Sequence, residues 1–65
     1  MTYDIVFDGE SSIDRKGFSA SLEYCRWYIE SNNGTDESYF GDYKGGTVMI
    51  VCNETDEVVY EEAVR

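Results

Sequence analysis

Between Thr47 and Cys52 the chain carries a near-continuous apolar run, Val48-Met49-Ile50-Val51-Cys52, and a sequence of 65 residues has few places to put it. Consecutive apolar positions belong to a strand covered on both sides, whereas a strand wet on one face alternates. The run therefore predicts a central strand. Val48, Ile50 and Cys52 share one face, and Thr47, Met49 and Val51 the other. A chain this short buries about 60% of its unfolded surface and supports one core, so residues 1–65 read as a single domain built around that strand.

Tyr3, Ile5 and Phe7 alternate with Asp4, Val6 and Asp8, the period of a strand with one apolar face. Asp8-Gly9-Glu10-Ser11-Ser12 reads as a turn, and Ile13 to Gly17 shows no usable period and reads as loop. Ser19 is placed to cap a helix reaching Asn32, with Asn33 or Gly34 at its C-terminal end. Phe18, Leu22, Cys25 and Ile29 fall in one stripe at helical spacing and should face the sheet. Tyr24 and Trp27 then lie on the far side between Glu23 and Glu30, with Tyr28 at the boundary. Turning the helix by roughly half a turn would bury Tyr24, Trp27 and Tyr28 instead.

Ser38 to Tyr43 is aromatic-rich and strand-like, and Lys44-Gly45-Gly46 suits a tight hairpin turn into Thr47–Cys52. After Asn53-Glu54-Thr55-Asp56, a last strand runs from Glu57 to Ala63. The expected fold is α+β and two-layered, in β-α-β-β-β order, with one helix on a mostly antiparallel sheet. Its second sheet face has no cover within the chain. Met49, Val51 and Val59 are then either exposed or covered by a second copy in a homodimer.

Fourteen acidic residues against five basic ones, with no histidine, give a net charge of −9. That sign repels phosphate-rich nucleic acid and anionic lipid and attracts basic surfaces. An apolar content of 42% still favours an ordered globule over disorder. Without histidine there is no default general base near neutral pH and no Ser-His or Cys-His dyad. The acid-rich stretches Asp4–Gly9 and Asn53–Glu57 do not fit an EF-hand loop. No catalytic residue, metal site or cofactor is expected, and the chain reads as a non-enzyme. Met1-Thr2-Tyr3-Asp4 lacks the basic and apolar regions of a signal peptide, and no apolar run is long enough to span a membrane. The expectation is a cytoplasmic protein with Cys25 and Cys52 as buried free thiols. The sequons at Asn33 and Asn53 read as chance.

The composition permits the inverse of nucleic-acid binding, a surface presenting carboxylates where a basic groove expects phosphates. Strand residues two apart lie about 6.6 Å from each other on one face, and phosphates of one duplex strand recur about every 3.4 Å along the axis. Glu57 with Glu61, or Asp4 with Asp8, would match every few phosphates. In size, acidity and compact α/β pattern the chain resembles the small proteins with which phages and mobile elements disarm host nucleases: anti-CRISPR proteins, anti-restriction DNA mimics and uracil-DNA glycosylase inhibitors. The resemblance implies a stoichiometric inhibitor acting in a host cytoplasm on a basic, nucleic-acid-binding protein. Contact surfaces of that kind combine steering charge with aromatic anchors. Two groups qualify: Glu23, Tyr24, Trp27, Tyr28 and Glu30 on the helix, and the turn and strand acids Asp36, Glu37, Asp42, Glu54, Asp56, Glu57 and Glu61. The competing expectation is an interaction module, a homodimer or accessory subunit, with the aromatic patch as its seam.

Overall fold

A computed structural model describes all 65 residues. Four strands and one helix follow in the order β1 (Tyr3–Asp8), β2 (Ile13–Ala20), α1 (Leu22–Asn32), β3 (Thr47–Cys52) and β4 (Val58–Ala63). The strands form one antiparallel sheet in the order β2-β1-β3-β4, with α1 packed across β1 and β3. The α+β, two-layer class expected from the sequence is present. The element order is not: it runs β-β-α-β-β, with a second strand before the helix and none between Ser38 and Tyr43.

The unexpected strand is β2, where the sequence reads as loop. Its inward positions are Asp14, Lys16, Phe18 and Ala20, half-buried between exposed neighbours. The period of two is real, but charged residues occupy two of the inward places. Each is accommodated. Asp14 accepts a 2.7 Å hydrogen bond from the Tyr43 hydroxyl, and the Lys16 ammonium lies 5.8 and 5.4 Å from the ring centres of Phe18 and Tyr39. Near its end β2 bulges. Asp4 alone on β1 faces Gly17, Phe18 and Ser19, and Ser19 adopts φ 50, outside the strand region.

The helix starts two residues later than expected, because Phe18 belongs to β2 and Ser21 takes the cap. The Ser21 hydroxyl accepts from the Tyr24 N–H at 3.1 Å, and Glu23 in the first turn suits the positive end of the helix. Cys25, Tyr28 and Ile29 are buried against the sheet.

Ser38–Phe40 forms a single 3-10 turn, not a strand. Successive turn bonds from Phe40 to Glu37, from Tyr43 to Tyr39 and from Gly46 to Tyr43 fold this segment onto itself. Phe40 and Tyr43 both reach Phe7, with ring centres 4.9 and 5.8 Å away. Packing two aromatics from one short turn onto one strand residue requires a coil that a strand would straighten. Lys44-Gly45-Gly46 does turn, with Gly45 at φ 90, but it leads from this coil and pairs with the C-terminus through Val64. Gly46 admits no side chain, since a Cβ would lie 2.5 Å from the Asp8 carbonyl oxygen.

Strand β3 is central in the sheet, between β1 and β4, as its sequence predicts, but a second layer covers only one of its faces. On the helix side Val48 and Ile50 join a core with Ile5, Phe7, Ile29 and Phe40, and Cys52 is buried at the end of the strand. The other side carries no second layer. There Val6 lies in a row with Arg15, Met49 and Glu61, and Val51 lies between Asp4 and Val58. Val51 is nonetheless buried, Met49 half-buried, and Val59 exposed where β4 bulges.

A candidate partner-binding surface on the helix

The helix divides its aromatic residues. Tyr28 turns inward, packing its ring on Phe18 at 4.9 Å and Phe40 at 5.9 Å. Burial pushes its phenol pKa up. Contrary to expectation, Tyr28 is not part of the exposed helix group. Tyr28 belongs to the core because Phe18 and Phe40, arriving from flanking segments, widen the covered side beyond the narrow stripe of Cys25 and Ile29.

Trp27 and Tyr24 stay outside, 56% and 44% exposed, with ring centres 5.6 Å apart. Tyr24 also stacks edge-on against Phe18 at 5.7 Å, so β2 props the pair from beneath. Glu23 and Glu30 are exposed on the same helix. Phe18 was legible as apolar, but its assignment to the helix hid its role as a support for Tyr24.

The second group of acids does not form one patch. Asp36, Glu37 and Asp42 lie in the segment joining α1 to β3, while Glu54, Asp56 and Glu57 surround the turn at the far end of β3. Five residue steps along that strand separate the two ends by about 17 Å. Glu61 stands on the bare sheet face opposite Met49. All seven are exposed. The segment carrying Asp36, Glu37 and Asp42 shares the helix layer, since Phe40 packs on Tyr28, and the Glu37 charge is felt at the Tyr28 phenol.

The pairing of Asp4 with Asp8 as an acidic row also fails. Asp4 is 7% exposed and accepts from Arg15 Nε at 2.8 Å, the Ser19 N–H at 3.0 Å and Asn53 Nδ2 at 3.1 Å. Burial pushes its pKa up, but these donors outweigh it and hold the carboxyl below the usual range. Glu62 behaves alike at the other end of the sheet. Burial raises it, and hydrogen bonds from the Tyr60 hydroxyl and Asn33 Nδ2 bring it down. Asn33 also spans the edge of β4, donating to the Ala63 carbonyl and accepting from the Arg65 N–H. The amide nitrogens of both sequon asparagines, Asn33 and Asn53, are thus committed within the fold.

What the acids lack is neutralisation. Two ion pairs exist, Asp4–Arg15 at 2.8 Å and Asp36–Lys44 at 3.6 Å. Asp14, Glu54 and Glu62 accept hydrogen bonds. The remaining nine of the fourteen side-chain carboxylates have neither. Lys16 lies over aromatic rings, and the Arg26 guanidinium lies 4.8 Å over Tyr60. The negative field is therefore distributed around the molecule, not gathered on one face, yet little of it is cancelled.

Cys25 and Cys52 are free and buried. Burial raises the Cys25 thiol, whereas hydrogen bonding at Thr55 draws Cys52 down despite its partial desolvation. No three of the Cys, Asp and Glu side chains converge on a metal-sized site. No helix is long and apolar enough to cross a membrane. No protein-family model, curated protein or solved structure matches this chain.

Proposed function

We propose that this protein is a non-enzymatic inhibitor that docks on a basic surface of a nucleic-acid-binding protein such as a CRISPR effector, a nuclease or a DNA-repair enzyme. The observation that carries the reading is the exposed Tyr24–Trp27 pair set beside Glu23 and Glu30, neither of which is ion-paired. Exposed aromatic residues are costly to leave in water and supply most of the energy of protein interfaces, while surrounding charge steers encounter. The burial of Asp4 removes one acidic row, so a phosphate-by-phosphate imitation has less support than aromatic-anchored docking.

Capture from a bacterial lysate on immobilised wild type and Trp27→Ala, at low and high salt, tests this. The expected result is a basic nucleic-acid-binding protein retained at low salt, released by high salt, absent from the Trp27→Ala column, and displaced from its nucleic acid by the free inhibitor. Retention unaffected by the substitution, or no loss of nucleic-acid binding by the captured protein, contradicts the proposal. A homodimer whose seam contains Trp27, seen as a mass that halves on dilution, assigns the same surface to self-assembly.

A further inference from the structure

Four of the chain's five basic side chains are engaged by its own groups. Arg15 pairs with Asp4, Lys44 with Asp36, Lys16 lies over Phe18 and Tyr39, and Arg26 lies over Tyr60. Trp27, whose indole is the strongest cation-binding ring among the aromatic side chains, has no cation over it although it is 56% exposed.

The helix places carboxylates where such a cation would need them. At about 100° and 1.5 Å per residue, Glu23 sits about 6 Å before Trp27 along the axis and Glu30 about 4.5 Å after it. Both lie about 40–60° around the same side of Trp27, and Tyr24 lies about 60° around the other. Arg26 shares the side of the two carboxylates, but it leans on Tyr60 and forms an ion pair with neither.

We infer that Glu23, Trp27 and Glu30 form a receptor for an arginine side chain of the partner, with the guanidinium stacked on the indole and its N–H groups donated to the two carboxylates. A planar guanidinium matches this set better than an ammonium, because it stacks flat while directing donors outward in its own plane. The inference rests on the helix face being the docking surface and names the group that surface takes.

Trp27 is the only tryptophan in the chain, so its emission reports on this site alone. The probe is acetyl-Gly-Arg-Arg-Gly-amide, titrated at about 0.15 M salt, where the Debye length is about 8 Å, beside its Lys and Glu analogues. The expected result is a saturable change in emission with the Arg peptide, about threefold weaker binding of the Lys peptide, and no change with the Glu peptide. Glu23→Gln/Glu30→Gln should weaken the Arg peptide about fivefold. Glu57→Gln/Glu61→Gln removes the same charge from the sheet and should leave binding within twofold, since exposed charges beyond a Debye length are screened. Circular dichroism confirms that both variants, altered only at exposed positions, remain folded.

An Arg peptide that leaves the emission unchanged overturns the inference, as does equal weakening by the two double variants, which would mean attraction to net charge alone. Salt-sensitive, Trp27-dependent capture of a basic protein with no Arg-peptide binding would leave the docking surface standing without its arginine. Arg-peptide binding without such capture would leave the receptor standing without an inhibitor.

Discussion

The two faces of the sheet reach similar burial by different means. Under the helix, Ile5, Phe7, Val48 and Ile50 are fully buried beneath a layer supplied by Ile29, Phe40 and Tyr28. On the bare face no element covers the strands, yet Val6 and Val51 are 8% and 5% exposed. Each lies in a cross-strand row with larger neighbours, Arg15, Met49 and Glu61 for Val6 and Asp4 and Val58 for Val51. The stems of long charged side chains cover apolar surface while their heads stay wet. One face is held by aromatic packing, the other by short aliphatic residues under a polar network centred on Asp4. Packing losses should therefore dominate on the first face and lost hydrogen bonds on the second.

The largest effect is expected for Phe40→Ala, which removes a fully buried ring touching Phe7 and Tyr28. Its cost of about 3–5 kcal/mol approaches the whole stability of so small a domain, and urea unfolding should find little folded protein. On the bare face Val51→Ala should cost about 1–2 kcal/mol, because it removes two buried carbons and not a ring. A cost equal to that of Phe40→Ala would erase the distinction.

Next comes Asp4→Ala, which strands donors of Arg15, Ser19 and Asn53 and should cost about 2 kcal/mol. Acid sharpens the same point. Asp4 and Glu62 both titrate below their ordinary values of 3.8 and 4.5, so the unfolded chain binds their protons more tightly. Their contribution is full above about pH 4.5 and is lost as the pH falls through the depressed values. The acid limb of a stability–pH curve should flatten in Asp4→Asn and in Glu62→Gln, and an unchanged limb would show that neither carboxylate is held as described. Added salt acts with the opposite sign. Screening of the uncompensated carboxylates should raise the melting temperature between low and physiological ionic strength.

The smallest stability effect is expected at Trp27. Trp27→Ala should change unfolding free energy by under about 0.5 kcal/mol while abolishing partner capture. Stability and binding would then be carried by opposite sides of one helix.

The parts of this arrangement that the sequence displays are those where burial follows a simple period. Ile5 and Phe7 alternate toward the helix, Val48 and Ile50 continue that buried row on β3, and Cys25 with Ile29 marks the inner side of the helix. Strand β2 was hidden because Asp14 and Lys16 occupy inward positions, satisfied by Tyr43, Phe18 and Tyr39 from elsewhere in the chain. Ser38–Tyr43 carries strand-forming residues whose rings are better used in a coil against Phe7. At the candidate site, Trp27, Tyr24, Glu23 and Glu30 were readable from helical spacing. Tyr28 was not, because the aromatic residues that bury it come from segments whose placement only tertiary structure decides.

The central claim, that the outer side of the helix faces solvent and is free to meet a partner, is tested most directly by quenching the emission of Trp27 with iodide and acrylamide across a range of protein concentrations. A solvent-exposed indole predicts emission near that of free tryptophan and efficient quenching by acrylamide, unchanged on dilution. Iodide should quench less at low salt, repelled by Glu23 and Glu30. Shielded emission that becomes quenchable only on dilution would place Trp27 in a seam between copies of the chain, and shielded emission at every concentration would place it in the core.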